Sequence, residues 1–270
     1  MHRIFLFVAC LIYVEAFPAS EFLLADSVKK SNRFNTGEEL SFDLGYGWFT
    51  LGKAELSISN QLHQLEQTNC FKVDIKGKTT GLLGAFSKVD DTWGGYVDAQ
   101  SLLPLSAYAD LHEGKYQRKE DIRYNHTDGT ITIDMVKKNK PRPTKYYEFE
   151  GEIYDLISGY LKLRNIDYSL LSPGDTVQFR AFYDEIYYDF GVLFEGIEEV
   201  KTEVGKLKAY RIVPIIPENK IFPGINPITA WISADPNQLP LLIEADMFFG
   251  HAFVALTDYK NIKYGPDYQP

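Results

Sequence analysis

The sequence predicts an all-β, mainly antiparallel protein: a curved, open or incomplete β-barrel with one main helix covering or plugging it. Three observations carry that prediction. Apolar and polar residues alternate along segment after segment. The links between those segments are short, which selects antiparallel pairing because a parallel pair needs a crossover of about a dozen residues or more. Only one stretch of the chain has a helical period.

The alternation begins with Leu40, Phe42, Leu44, Tyr46 and Trp48 on one face, against Glu39, Ser41 and Asp43 on the other. Gly45 and Gly47 fall on the second face, where a missing side chain permits a bend or the close approach of another backbone. Ala54, Leu56 and Ile58 continue the pattern, as do Phe71, Val73 and Ile75. Further strands are read at Val89 to Val97, Leu105 to Leu111, Arg118 to Tyr124 and Thr130 to Val136, the last two joined by the hairpin signal Asp128-Gly129. The segment Lys137 to Lys145 carries Pro141 and Pro143 among basic residues and reads as an exposed loop. Strands resume at Thr176 to Tyr183, Tyr187 to Glu195, Glu199 to Thr202 and Leu207 to Ile215. The stretch Thr229 to Lys260 then reads strand, Pro-bearing turn, strand, Gly, strand.

The helix is read at Ile153 to Asn165. At 100° per residue, Ile153, Leu156, Ile157, Tyr160, Leu161 and Leu163 gather on one broad face, the pattern of a helix sunk into a concave sheet. Arg164 falls near the middle of that face. A buried guanidinium needs a carboxylate or several carbonyl oxygens. Arg164 therefore reads either as a structural group, capping carbonyls at the helix end or pairing with an acid from the sheet, or as an anion or head-group contact at a cavity mouth.

The chain begins with the features of an export signal: His2 and Arg3, an apolar core Ile4 to Tyr13, and Val14-Glu15-Ala16, giving expected cleavage after Ala16. The apolar core is shorter than the ~20 residues of a membrane-spanning helix. Phe7-Val8-Ala9-Cys10 allows a lipoprotein reading through Cys10, against which stand the Phe and the continuing apolar run Leu11 to Val14. The expected organisation is a signal peptide at 1–16, a polar lead-in at 17–36, a single barrel-like domain at 37–262 and a tail at 263–270. With Cys10 removed, Cys70 is the one thiol left, a small buried hydrophobe. A formal net charge of −9 argues against nucleic acid and anionic membrane surfaces as partners.

No motif with a built-in mechanism is present. The five histidines form no HExxH pattern, no GxSxG elbow exists, and Gly81-Leu82-Leu83-Gly84 lacks the Lys of a phosphate loop. The acid pairs Glu38-Glu39, Asp90-Asp91 and Asp184-Glu185 are sequence neighbours, and strand neighbours point to opposite faces. Asn125-His126-Thr127 matches a glycosylation acceptor. The sequence thus predicts no enzyme, no cofactor and no metal. What remains is aromatic: 18 Phe, 18 Tyr and 3 Trp. Trp48, Trp93 and Trp231 stand in predicted strands, and the loops Gly81 to Phe86 and Ile221 to Ile225 add exposed apolar side chains. Trp48, Trp93, Arg164, Phe222 and Trp231 are accordingly the candidate ligand contacts.

Three blocks carry a family resemblance: GEELSFDLGYGWFTLGKAELSI from Gly37, YDLISGYLKLRNIDYSLLSPGD from Tyr154, and AWISADPNQLPLLIEADMFFGHAFVALTDY from Ala230. Their motifs are G-x-A-x-L after the first strand, D-x-x-S followed by L-R in the helix, and W-x-S-x-D followed by L-P. Together they resemble domain of unknown function 3108, a family of exported proteins of Gram-negative bacteria with no established catalytic residues. More distantly, the Trp strand and its D-P-x-x-x-L-P turn resemble the periplasmic lipoprotein carriers of the LolA and LolB type, which implies an incomplete barrel with a hydrophobic concave face. The resulting expectation is a monomeric, non-enzymatic periplasmic protein that binds a lipid or other hydrophobic envelope component. The alternatives are an envelope structural or protein-interaction module and an envelope enzyme acting on glycans. The carrier expectation requires a hollow concave side, and the enzyme would need two convergent carboxylates, or an acid and a His, in one cleft.

Overall fold

A computed structural model describes residues 32–81, 88–215, 227–248 and 250–265. The expected leader 1–16, Cys10, Phe222 and nearly all of the two apolar loops lie outside them. The strands are Glu39–Tyr46 (β1), Phe49–Ile58 (β2), His63–Leu65 (β3), Thr68–Thr79 (β4), Asp90–Asp98 (β5), Pro104–Glu113 (β6), Tyr116–Asn125 (β7) and Thr130–Lys137 (β8). They continue with Lys140–Pro141 (β9), Lys145–Glu148 (β10), Thr176–Tyr183 (β11), Ile186–Thr202 (β12), Gly205–Ile215 (β13), Ile228–Ser233 (β14), Pro240–Met247 (β15) and Gly250–Lys260 (β16). One helix, Leu156–Asn165 (α1), and a 3-10 turn, Tyr168–Leu170, lie between β10 and β11.

All sixteen strands belong to one sheet, ordered β10-β8-β7-β6-β5-β4-β2-β1-β16-β15-β14-β13-β12-β11, with β3 paired to β4 and β9 to β8. Neighbours on this path run antiparallel. Pairing of β1 with β16 joins the first and last strands, so both halves of the chain form one surface. No ladder joins the path's two ends, β10 and β11, and the barrel is open, as the carrier resemblance implies.

The open ends overlap. On the β11–β12 hairpin, Phe190 and Val192 face a core cluster with Tyr168, Tyr210 and Ile212. From the opposite face of the same hairpin, Phe182 and Tyr187 pack with Tyr124, Ile131, Ile133 and Tyr147 of β7, β8 and β10. The sheet is therefore a scroll whose leading edge lies over its trailing edge. Polar contacts hold the overlap: Tyr147 Oη donates to Glu185 Oε2 at 2.7 Å, Tyr187 Oη donates to the Glu148 carbonyl at 2.6 Å, and Lys145 pairs with Glu185. The free edge of β11 is covered by Tyr154, whose N–H donates to Arg180 O at 2.9 Å and whose carbonyl accepts from Phe182 N at 2.7 Å. Covering an edge in this way removes a template for unwanted strand addition.

α1 fills the scroll. Ile157, Ser158, Gly159, Leu161 and Arg164 are all buried, more of the helix circumference than a surface helix hides. Ile157 and Leu161 join the main core with Leu56, Val73, Val97, Leu241 and Leu256. Gly95 of β5 lies beneath it: a Cβ there would make ordinary contact with Ile157 Cβ at 3.8 Å and would clash with the Ser106 carbonyl oxygen at 2.9 Å.

Four boundaries differ from the sequence reading. The helix starts at Leu156 rather than Ile153, because Asp155 is its N-cap and forms a capping box with Ser158. The expected strands at 187–195 and 199–202 are one strand, β12, which absorbs the irregularity as a bulge between Phe194 and Gly196. The exposed segment after Lys137 contains the two-residue strand β9, and β10 begins at Lys145. β1 ends at Tyr46, so Trp48 is a turn residue, with Gly47 in the left-handed region at φ 57°. Over Gly45 lies the ring of Phe253, not a second backbone.

Candidate functional site

The inward face of β7 carries Arg118, Glu120, Ile122 and Tyr124 at every second position, opposite Leu111, Ala109 and Ala107 of β6. The start of α1 brings Asp155 to this face, and the β11–β12 turn brings Asp184. These groups surround a cavity of about 60 Å³, walled also by Trp93, Leu111 and Phe182. That volume holds a few water molecules or one small polar group.

The polar wall is only partly satisfied by the protein. Arg118 pairs with Glu120 through Nη2 and donates from Nη1 to Asp184 Oδ1 at 2.9 Å. Asp155 Oδ1 accepts from Ser158 N at 2.7 Å and Ser158 Oγ at 2.6 Å. Arg118 Nε, Tyr124 Oη and Asp155 Oδ2 are buried without a protein partner. Tyr124 and Asp155 are only 7% and 6% exposed, and the three partnerless atoms are packed out of contact with solvent. An unsatisfied buried polar atom costs about 1–3 kcal/mol, which makes such a group a feature to explain.

Burial pushes the acids of the cavity toward their neutral forms. Burial holds the Asp155 carboxyl above its usual range, against the opposing hydrogen bonds from Ser158. Burial also raises Glu120, with Arg118 opposing it. The Tyr124 hydroxyl is pushed well up by burial and then by the charges of Asp155 and Glu120. Three carboxyls and a phenol thus line one cavity with a single guanidinium whose terminal nitrogens are already engaged.

Of the residues singled out from sequence, Trp93 lines this cavity. Trp48 is 87% exposed in the β1–β2 turn. Trp231 packs against the main core from β14 and donates its indole N–H to Glu198. Arg164 sits at the opposite end of α1, 2% exposed, with both terminal nitrogens on Glu38 and Nη2 also donating to Asn237 O at 2.8 Å. Its guanidinium forms a structural pair with an acid, the first of the two readings its position allowed. Phe222 lies outside the described residues. The sequence reading missed Arg118, Glu120, Tyr124 and Asp155. Their signals were the D-x-x-S box that starts the helix and the period-two spacing of β7.

The concave side of the sheet is filled by α1 and its three core clusters. Among the described residues no three His, Cys, Asp or Glu side chains group as metal ligands, and no helix is long and apolar enough to cross a membrane. His251 is the second residue of β16. It lies 3.0 Å from Asp246 and 3.4 Å from Glu244, and the Asp246 contact raises its pKa.

The architecture is similar to a crystal structure of a β-barrel-like protein of domain of unknown function DUF1849 from Brucella abortus. That protein shares 11% identity and a TM-score of 0.53 over 83% of this chain and 97% of its own. Looser likenesses are a Bacteroides fragilis protein described as exported with a YmcC-like fold (9% identity, TM-score 0.37, 85% and 100% covered) and a Parabacteroides distasonis protein described as a lipoprotein (12%, 0.34, 85% and 99%). The first of these supports the fold and nothing further. No curated protein matches the chain. The family model described as protein of unknown function DUF3108 matches residues 41–257, nearly the whole scroll, and the chain belongs to that family.

Proposed function

We propose that this protein is a non-enzymatic binding protein of the bacterial envelope, taking a lipid or other amphiphilic envelope component by its polar end. The export features at the N-terminus support a periplasmic setting. The observation that carries the reading is the cavity between β7 and α1, where Arg118, Glu120 and Asp184 meet aromatic and aliphatic walls. The filled concave side argues against an acyl chain swallowed whole: even benzene needs an apolar cavity of about 150 Å³. The ligand's apolar part therefore stays outside the cavity.

Two acids in one cavity are also what a glycan-cutting enzyme would need. Such an enzyme places its carboxyls on either side of a sugar ring. A space of about 60 Å³ leaves no room for that ring, and Asp155 is committed to capping α1. Binding without chemistry is the better fit.

Native mass spectrometry of the chain released from its own periplasm tests the proposal. The expected result is a retained small or amphiphilic molecule that is lost in the double variant Glu120→Gln, Tyr124→Phe. A protein that carries nothing, and whose variant behaves identically in lipid extracts, would overturn it.

A further inference from the structure

We propose that the rim formed by the β1–β2 and β15–β16 turns docks on the surface of a zwitterionic lipid bilayer. In a continuous antiparallel sheet every second turn lies on the same rim, and these two are neighbours on it because β1 pairs with β16. Gly47 N–H donates to the His251 carbonyl at 2.7 Å, and the Tyr46 ring lies over Gly250, which has no Cβ to obstruct it. The two tips are thereby fixed against each other. Trp48 and Phe248 at the tips are 87% and 73% exposed. Phe49 is 62% exposed, with its ring centroid 5.9 Å from that of Trp48.

A lone exposed apolar residue is ordinary, but three aromatic rings on adjacent turns form a patch. Its size decides what can cover it. At about 200 Å² a ring, the exposed fractions come to roughly 450 Å². A stable protein interface takes about 800 Å² from each partner, so these rings alone hold neither a second copy nor another protein. A bilayer requires no matching surface. Projecting rings enter it side by side, and Trp favours the headgroup level, where its apolar body is buried and its N–H stays wet. Only the side chains enter, so the backbone of both tips keeps its water.

Charge selects the headgroup. In sequence the two turns, Tyr46 to Thr50 and Met247 to Gly250, read YGWFT and MFFG and carry no charge that insertion would strip of water. The nearest charged side chains on the four strands are already matched. Lys53 pairs with Asp43 at 2.9 Å, and His251 lies 3.0 Å from Asp246 and 3.4 Å from Glu244. On β4, next in the sheet, Lys78 stands opposite Asp90. These strands offer no spare cation to an anionic lipid, and the net charge of −9 repels one. The β11–β12 turn that carries Asp184 lies on the same rim, so docking would bring that end of the cavity toward lipid, whatever the cavity holds.

Flotation of the exported chain with phosphatidylcholine vesicles tests this, with tryptophan emission as a second readout. The chain should float with the vesicles while its emission shifts to the blue. Brominated acyl chains should quench that emission, and Trp48→Phe should remove most of the quenching, because Trp93 and Trp231 are half-buried in protein. Trp48→Ser and Phe248→Ser should each lower the partition coefficient about tenfold. Both side chains are exposed, so thermal midpoints should stay at the wild-type value. Leu170→Ser, on the 3-10 turn beyond α1 and 75% exposed in the wild type, should leave flotation unchanged. No flotation, equal flotation of the double variant Trp48→Ser, Phe248→Ser, or stronger flotation with phosphatidylglycerol vesicles overturns the inference. So does a dimer in analytical ultracentrifugation that the double variant dissolves, which gives the patch to a second copy. If flotation fails while native mass spectrometry still finds a retained molecule, the binding reading survives and only the docking surface falls.

Discussion

Arg164 and Glu38 form the most deeply buried ion pair described, at 2% and 0% side-chain exposure. The pair ties three remote parts of the chain together: the segment before β1, the end of α1, and the β14–β15 turn through Asn237. Removing one member leaves the other charged and dry, a loss of about 3–5 kcal/mol. Arg164→Met should therefore lower the denaturation midpoint sharply. Adding Glu38→Leu should recover much of the loss, and a double-mutant cycle in urea would read the coupling. Asp91 is a different kind of buried acid. His112 N donates to its Oδ1 at 2.7 Å, Oδ2 has no partner, and burial raises its pKa to about 6. An acid whose folded pKa is raised binds more protons in the native state, so its contribution favours the fold below the unfolded pKa near ~4 and is lost as pH rises through about 6. Asp91→Asn should stabilise the protein at pH 7.5 by about 1–2 kcal/mol and flatten stability between pH ~4 and ~6.5. Equal slopes for variant and wild type would refute this.

At the scale of elements, the pairing of β5 with β6 beneath the helix depends on one small residue. Gly95 faces α1, and any Cβ there meets the Ser106 carbonyl at 2.9 Å before it meets Ile157. Backbone cannot step aside as a flexible side chain does, so Gly95→Ala should cost about 1–3 kcal/mol in thermal unfolding despite adding a single methyl. The elements also show what sequence could and could not reveal. Alternation located β1, β2 and β4 because their inner residues are apolar and their outer residues polar. On β7 the inner face mixes Arg118 and Glu120 with Ile122 and Tyr124, against Lys119, Asp121 and Arg123 on the outer face. Only Ile122 and Tyr124 mark which face turns inward. The cavity was invisible for that reason, since its polar wall reads as solvent-facing until the scroll is rolled. The helix start was legible in Asp155-x-x-Ser158, but Ile153 and Tyr154 extend the apolar pattern and concealed it.

Across the whole molecule, closure depends on side chains where a true barrel would use a ladder. β10 and β11 share no ladder, so the overlap stands on Phe182, Tyr187, Tyr147 and the pairs around Glu185 and Arg118. The cavity lies at this overlap, bounded by Phe182 and Asp184 on one side and β7 on the other. Loosening the seam should therefore open the cavity before it unfolds the core. Phe182→Ala removes a ring 2% exposed, in contact with Tyr147 and Tyr187 at centroid distances of 5.1 and 5.0 Å. Its cost should be about 3–5 kcal/mol if the site cannot collapse. In hydrogen exchange, amides of β8, β10 and β11 should lose protection first, while β1, β2 and β16 keep theirs, because the latter pair within the continuous part of the sheet. A uniform loss across all strands would show instead that the scroll unrolls as one cooperative unit, and that access to the cavity is not separable from global stability.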